Sequence, residues 1–268
     1  MPSDHKFVYN THKFFKHEEI NLNTLSLLEN FHIREEITVI KGKIIFPENH
    51  YFHLIANLRK ARFKISLDFT LEYFIENINA FINNRKISVN LLYSCILNGE
   101  GLQHLVYENH REPETSTFNE VEIYREDFMA NNLSSQINFS NGFLHALNTY
   151  RAENELDDIF LLNQNNHLTG SFYGNVFLIK GQELLTPRLD DGARDTAARQ
   201  KFLLLAQKWP EFDAVSEKTL PPFEITKADE CFIFTPFYKL ISLSKFRKTD
   251  FDNHYIQAIK KKLLELVQ

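Results

Sequence analysis

Several features that are common in proteins are scarce in this chain of 268 residues, and each scarcity narrows its class. Only two cysteines, Cys95 and Cys231, are present, which is too few for a disulfide framework. Both lie in apolar, strand-like runs, so we predict buried, reduced thiols in a cytoplasmic protein. No run approaches the roughly 18 consecutive apolar residues of a membrane helix, so no membrane partner is expected.

Neither sign of charge is in excess. The chain carries 30 Lys and Arg residues against 35 Asp and Glu residues, which gives a net charge of −5. This balance provides no electrostatic attraction to nucleic acid or to an anionic membrane surface, and we expect neither as a partner. The basic run Lys260 to Lys262 is interpreted as the solvated end of a helix.

Lysine is missing from one long interval, because none occurs between Lys86 and Lys180. The motifs Gly-x-Ser-x-Gly, Gly-x-Gly-x-x-Gly and Cys-x-x-Cys and the P-loop are missing as well. His12 and His17 are five residues apart, which is not the spacing of a helical metal-binding pair, and we predict no metal site. These absences exclude the common signatures of serine hydrolases, nucleotide-binding proteins and thiol oxidoreductases.

The first third of the chain alternates strand and helix patterns. Residues 35–46, EEITVIKGKIIF, predict two strands joined across Gly42. Residues 48–65 have the apolar spacing of an amphipathic helix, and residues 68–84 predict a second helix capped by Asp68 or Thr70. Residues 86–101 predict a strand that ends in a turn.

The rest of the chain mixes both patterns without a regular βαβ repeat, which favours the α+β class with two sub-domains. The polar stretch 108–120 predicts an interdomain connection. We therefore divide the chain into an N-terminal sub-domain (1–110), a connecting segment (111–122) and a C-terminal sub-domain (123–268).

Five segments, in order, resemble one known family. They are HYFHLIANLRKARFKI (50–65), LSSQINFSNGFLHALNTYRAENELDD (133–158), HLTGSFYGNVFLI (167–179), TPRLDDGARDTAARQ (186–200) and ADECFIFTPFYKLISLSKFRK (228–248). Together they resemble the class IV aminotransferases and aminodeoxychorismate lyases, the fold type IV pyridoxal-phosphate (PLP) enzymes. The resemblance implies a D-amino-acid aminotransferase-like fold, a homodimer, and a cleft between two sub-domains.

The family's catalytic residues do not recur at the matching positions. Its Schiff-base lysine falls on Ile137, or on His145 if a gap aligns LHALN with the family's Leu-Lys-x-x-Asn. Its acidic partner of the pyridine nitrogen falls on Gly170, and its phosphate-binding arginine falls on His53. A PLP enzyme needs an amine that can condense with the cofactor, and neither isoleucine nor histidine supplies one.

The family's phosphate-binding loops are altered too. The loop glycine falls on Thr196, followed by Ala197 and Ala198, and the threonine of the last strand falls on Phe234, followed by Thr235. Framework positions are retained, and they are Leu54, Asn175, Phe177, Thr186, Pro187, Gly192, Arg199, Asp229, Glu230 and Phe232. We interpret the chain as a scaffold whose cofactor site has been dismantled, and we expect no cofactor.

The first hypothesis is therefore a pseudoenzyme or PLP-independent relative that binds a protein partner, a small carboxylate or an aromatic acid. The alternative is an active aminotransferase or lyase that uses a relocated lysine, Lys180 or Lys239, or a PLP-independent lyase. His53 is a candidate for contact with an anionic ligand, and His145 is interpreted as a packing residue. The acidic residues around Gly192 are interpreted as a solvated turn. Gly170 is interpreted as a strand glycine that allows close backbone approach.

Overall fold

The computed structural model describes residues 7–9, 12–14, 32–98, 101–129 and 141–267. The chain divides into two compact units, Met1–His110 and Arg111–Gln268, which we name unit 1 and unit 2. Helices and strands are mixed in both units, so the predicted α+β class is confirmed. Cys95 and Cys231 are buried and free. Within the described ranges, no helix has the length and apolar character needed to cross a bilayer.

Unit 1 is built on an antiparallel sheet. Its strands are β1 (Phe7–Tyr9), β2 (His12–Phe14), β3 (His32–Ile40), β4 (Lys43–Ile44), β5 (Val89–Asn98) and β6 (Gly101–Glu108). They are ordered β2-β1-β6-β5-β3-β4. The predicted hairpin across Gly42 is present, and the positive φ of +80° at Gly42 suits a residue without a side chain.

Two helices of unit 1 follow β4, namely α1 (Pro47–Lys60) and α2 (Leu71–Ile82). Helix α1 begins at Pro47, whose fixed φ and missing N–H suit the first helical position. Helix α2 is capped by Thr70, whose hydroxyl accepts from the Tyr73 amide at 3.2 Å, so Thr70 rather than Asp68 is the N-cap. It ends at Asn83, which adopts a left-handed conformation.

Unit 2 holds the remaining elements. Its strands are β7 (Thr117–Phe118), β8 (Val121–Ile123), β9 (Asp158–Leu162), β10 (Leu168–Ser171), β11 (Asn175–Lys180), β12 (Glu183–Pro187), β13 (Ala214–Lys218), β14 (Glu230–Phe234), β15 (Leu240–Leu243), β16 (Lys245–Phe246) and β17 (Thr249–Asp250). Its helices are α3 (Asn141–Glu153), α4 (Ala197–Ala206) and α5 (His254–Val267), with 3₁₀ turns at Leu189–Asp191 and Pro222–Lys227. The sheets are ordered β13-β12-β11-β14-β15-β7, β10-β9-β8 and β16-β17.

The central strands β11 and β14 of the six-stranded sheet of unit 2 are buried on both faces. On one face, Phe177 packs against Phe202 of α4, with ring centroids 4.9 Å apart. On the other face, Val176 belongs to the same apolar cluster as Phe160 of β9. A strand covered on both sides is largely apolar, which explains the continuous apolar runs VFLI and CFIF.

One buried carboxylate attaches the last helix to this sheet. Glu230 in β14 accepts hydrogen bonds from the backbone amides of Tyr255 and Ile256, both at 2.8 Å. Both amides lie in the first turn of α5, where backbone N–H groups have no partner within the helix. The negative charge also interacts favourably with the helix N-terminus.

Candidate functional site

His53, the predicted candidate in unit 1, is bound to a carboxylate of the same unit. Its Nδ1 lies 2.6 Å from Glu35 Oε2, and Nδ1 of His50 lies 2.7 Å from the other oxygen of Glu35. All three side chains are buried between α1 and β3. Each imidazole therefore donates its Nδ1–H to Glu35, which fixes the orientation of both rings.

The charge on Glu35 is stabilised by these histidines. Burial alone would raise the pKa of Glu35, but the charge of His53 and the hydrogen bonds from both rings outweigh it and hold the pKa below 4.5. The neighbouring buried groups are neutral. Burial raises the pKa of Cys95 well above its usual value and lowers the pKa of His104 from 6.5 to about 4. Glu35 is thus an ionised carboxylate whose charge is offset by His53, while the nearby Cys95 and His104 are uncharged.

The N-terminus of α4 in unit 2 carries three of the predicted site residues. Thr196 is the N-cap, and its hydroxyl accepts from the Arg199 amide at 3.0 Å. Ala197 and Ala198 follow as the first two helical residues, whose N–H groups have no preceding carbonyl within the helix. A helix N-terminus of this kind favours an anion through its amide donors and its dipole.

Arg199, which follows these residues, belongs to the framework. Its guanidinium donates to the Pro187 carbonyl at 2.9 Å and to Glu217 Oε2 at 2.6 Å. The side chain is almost fully buried. It therefore fixes α4 against β12 and β13.

Gly170 lies in β10, where the backbone of a neighbouring turn approaches closely. A Cβ placed on Gly170 would lie 3.1 Å from the Gly174 carbonyl oxygen, which agrees with the interpretation as a close-approach glycine. Gly174 is more confined, because its Cβ would lie 2.4 Å from the Phe234 carbonyl oxygen. The turn between β10 and β11 is thus pressed against the end of β14.

Phe234 and Thr235 end β14 and differ in their environment. The Phe234 ring is fully buried in the core beneath α4, with its centroid 4.5 Å from that of Phe202. The Thr235 hydroxyl donates to Glu112 Oε1 at 2.5 Å and accepts from the amides of Phe237 and Lys239 at 3.3 and 3.2 Å.

One asparagine links these loops within unit 2. Asn175 pairs with Phe234 across β11 and β14, and its side-chain amide donates to the Arg194 carbonyl at 2.8 Å. Arg194 lies two residues before the cap of α4. Asn175 therefore ties the end of β14 to the start of α4, and the family resemblance places binding residues on both.

The remaining lysine and histidine candidates lie elsewhere. Ile137 is outside the described residues. His145 is exposed on α3 while Leu147 points into the core, so the interpretation of His145 as a packing residue is wrong. The Lys180 ammonium pairs with Glu224, and the Lys239 ammonium donates to the Pro113 carbonyl.

The acidic residues near Gly192 are engaged by neighbouring side chains. Asp190 accepts from Arg188 at 2.6 Å, and Asp191 accepts from Thr219 at 2.7 Å. Across the described part of the chain, no group of three or more His, Cys, Asp or Glu side chains could hold a metal ion. Of the two histidines considered as metal ligands, His12 lies in β2 and His17 lies outside the described residues.

A second buried carboxylate, Asp158 in β9, has a different environment from Glu35. Burial raises its pKa from 3.8 to about 7, although hydrogen bonds from Ser171 and from the Ile159 amide favour the charged form. Asp158 is therefore destabilising when it is ionised. Because its folded pKa is raised, its contribution to stability is complete below pH 3.8 and is lost as the pH rises towards about 7.

We expect Asp158→Asn to increase the free energy of unfolding by about 1–2 kcal/mol at pH 8, because asparagine carries no charge to desolvate. The gain is moderate since the new amide must itself find hydrogen-bond partners. Urea unfolding at pH 8 and at pH 5 measures it, with the exposed Asp213→Asn as the control. A gain of equal size at both pH values would contradict the role given to ionisation.

Solved structures share this fold. A branched-chain amino acid aminotransferase from Thermobaculum terrenum, in the PLP form, superposes with a TM-score of 0.82 at 14% identity, covering 100% of this chain and 95% of that one. A putative 4-amino-4-deoxychorismate lyase from Legionella pneumophila superposes with a TM-score of 0.73 at 21% identity, covering 90% and 92%. The architecture is therefore that of the fold type IV PLP enzymes.

The sequence identifies the family. The family model for amino-transferase class IV matches residues 33–235, about three quarters of the chain, and the protein belongs to this family. A probable branched-chain-amino-acid aminotransferase from Thermotoga maritima is 34% identical over 76 residues. That match spans 28% of this chain and only 27% of the relative.

The expectation that this protein has no cofactor is wrong. Its family consists of PLP-dependent aminotransferases, and the T. terrenum structure is a holo form with PLP, so a cofactor is expected. The start of α4 in unit 2 fits the phosphate group of PLP. The amides of Ala197 and Ala198, which follow the N-cap Thr196, are donors of the kind that bind a phosphate. The fit does not depend on side chains, because these donors belong to the backbone.

Three carboxylates were missed from the sequence, namely Glu35, Asp158 and Glu112. Glu35 had a usable signal. In β3 the inward positions alternate as Ile33, Glu35 and Ile37, so a charged residue stands where an apolar one is expected. Glu112 lies in a polar stretch with several acidic residues, and nothing in the sequence marks it out.

Proposed function

We propose that this protein is a non-catalytic member of the class IV aminotransferases, which binds PLP reversibly and acts as a binding or scaffold protein. The observation that carries the proposal is the absence of lysine between Lys86 and Lys180. The family's Schiff-base lysine belongs in this interval. Without an amine there, the cofactor is held by non-covalent contacts alone.

The contacts of the two relocated candidates support this proposal. The Lys180 ammonium is paired with Glu224, and the Lys239 ammonium is bonded to the Pro113 and Glu114 carbonyls. A condensing lysine needs an amine that is free to reach the aldehyde, and each of these amines is held by its own partners. Neither side chain is therefore prepared for condensation with an aldehyde.

The phosphate group would be held by the N-terminus of α4 through the amides of Ala197 and Ala198. When bound in its relatives, PLP supplies an electron sink for charge that develops on a substrate. Gly170 has no side chain to pair with the ring nitrogen, so this chain does not support that role. Binding is retained in this proposal, and the chemistry is lost.

Borohydride reduction tests the proposal directly. Purified protein is mixed with PLP, reduced, digested and mapped by mass spectrometry, while equilibrium dialysis measures total binding. We expect PLP to be retained in dialysis without a stoichiometric pyridoxyl adduct on any lysine. A stoichiometric adduct at a single lysine, such as Lys239, would establish the alternative of an active enzyme with a relocated lysine.

Two variants provide positive controls. Ile137→Lys and His145→Lys restore an amine at the ungapped and the gapped position of the family's lysine. A new adduct in one of them demonstrates that the method detects condensation in this protein. It also identifies which alignment of the family's lysine segment is correct.

The proposal also covers the oligomeric state and the cellular location of the protein. We expect a homodimer, as the family resemblance implies, that binds an active paralogue, a small carboxylate or an aromatic acid. The two buried, free cysteines suit the reducing cytoplasm.

A further inference from the structure

We propose that Glu112 is an internal competitor for the anionic group of the ligand, so that unit 2 contains an autoinhibitory contact. The inference rests on the proposed function, because it concerns the site at which a phosphate-bearing ligand would bind. The inference adds to the proposed function a contact that regulates binding at that site. The contact is the hydrogen bond from the Thr235 hydroxyl to Glu112 Oε1, at 2.5 Å.

The hydroxyl of Thr235 has no donor left for a ligand. A hydroxyl carries one hydrogen, which Thr235 gives to Glu112, and its lone pairs accept from the amides of Phe237 and Lys239. A ligand phosphate accepts hydrogen bonds and cannot donate to this oxygen once it is a dianion. Thr235 can therefore serve a phosphate only after Glu112 has left.

Glu112 is held by the segment that carries it. Residues 112–118 form a strap along β15, and Lys239, just before β15, donates to the Pro113 and Glu114 carbonyls of the strap. Further along, Ser242 donates its hydroxyl to the Ser116 carbonyl at 3.2 Å, and β7 pairs with β15 in parallel. These contacts fix the carboxylate next to Thr235.

A second carboxylate also opposes the binding of an anion, at the start of α4. Asp195 is buried immediately before the Thr196 cap and accepts from the Gln200 side chain at 2.9 Å. A negative charge is favourable at a helix N-terminus, so Asp195 takes part of the stabilisation that an incoming anion would gain. Asn175 joins Arg194, the residue before Asp195, to the end of β14, so Asp195 and Thr235 lie on loops that one side chain connects.

The physical consequence is a penalty specific to charged ligands. A dianion near a fixed carboxylate is repelled, whereas an uncharged ligand of the same shape is not. The strap therefore weakens the binding of phosphate-bearing ligands and leaves their unphosphorylated forms unaffected. Displacement of Glu112 from Thr235 would release one hydroxyl donor and remove one opposing charge.

Glu112→Gln tests the inference with little disturbance of the fold. The glutamine carbonyl still accepts from Thr235, so the strap stays in place while the charge is removed. We expect the variant to bind PLP about tenfold more tightly than the wild type, since tenfold corresponds to about 1.4 kcal/mol, the order of the repulsion between such charges in water-like surroundings. Isothermal titration calorimetry measures the affinity for PLP, for pyridoxal and for inorganic phosphate.

The matched control is Glu114→Gln, two residues along the strap, where the side chain is exposed. It removes the same charge from the same segment and is expected to leave PLP affinity within about twofold of wild type. Pyridoxal, which lacks the phosphate, should bind wild type and Glu112→Gln equally. A gain for pyridoxal as large as that for PLP would instead indicate a general loosening of the strap, and would overturn the inference.

The remaining outcomes of the titration also test the inference. Equal PLP affinity in wild type and Glu112→Gln, or no PLP or phosphate binding by the variant, would overturn the competitor role. The proposed function has a separate readout, because it fails when reduction maps PLP to a lysine. If reduction maps PLP to a lysine and Glu112→Gln still binds PLP more tightly than wild type, the non-catalytic function is refuted. The competitor role of Glu112 is then retained.

Discussion

Replacing Glu35 with alanine is expected to lower the free energy of unfolding by about 3–5 kcal/mol, the largest effect predicted for this protein. The substitution leaves His50 and His53 without the oxygens that accept their Nδ1 hydrogens at 2.7 and 2.6 Å. It also leaves a cavity between α1 and β3. Buried polar groups that lose their partner cost the full desolvation of the group, and here two groups lose it together.

Urea unfolding followed by circular dichroism measures the change, with the exposed Glu76→Ala on α2 as the control. The control removes a charge of the same sign from unit 1 and is expected to change stability by less than about 0.5 kcal/mol. A similar loss in both variants would show that net charge, and not the buried contact, is responsible.

The loss also has a defined pH dependence. The pKa of Glu35 in the folded state is lowered from 4.5, so its stabilisation is fully present above about pH 4.5 and is lost as the pH falls through the lowered pKa. The difference between wild type and Glu35→Ala should therefore shrink in acid. A difference that stays constant below pH 4 would assign the effect to packing alone.

The second large effect is expected for Gly174→Ala, which should destabilise the protein by about 3 kcal/mol. The new methyl group would lie 2.4 Å from the Phe234 carbonyl oxygen and 3.0 Å from the Thr235 Cα. Both neighbours are backbone atoms, so they cannot move aside by a change of rotamer. The strain must be relieved by shifting β14 or the turn.

Gly181→Ala is the matched control, because a Cβ there meets nothing within 4 Å and only the positive φ of +58° opposes it. Strain of that backbone kind costs about 1 kcal/mol. Thermal unfolding of both variants separates the steric contribution from the conformational one. Equal destabilisation would show that the contact with Phe234 relaxes freely.

Local signals in the sequence predicted the parts of the fold that depend on neighbours along the chain. The cap at Thr70, the turn at Gly42 and the apolar runs of β11 and β14 each follow from a few adjacent residues. The order of the five family-like segments predicted the overall architecture. Contacts between distant segments were not predictable in this way, since Thr235 and Glu112 are 123 positions apart.

The cofactor was misjudged for a physical reason. At His53, Gly170 and Phe234 the chain differs from the family in its side chains, and a sequence comparison reveals only differences of this kind. The donors at the start of α4 are main-chain amides, which any residue except proline supplies. A site that relies on backbone geometry survives changes that would remove one built from side chains.

The attachment of α5 through Glu230 makes this helix more important to the sheet than its own sequence suggests. A chain cut before His254 would keep Glu230 in the interior of the sheet and remove both amides that solvate its charge. The uncompensated anion would weaken β14, the same strand that leads into Thr235. Helix α5 is therefore part of what keeps the loop after β14 in order, and forms that lack this helix should be avoided in functional assays.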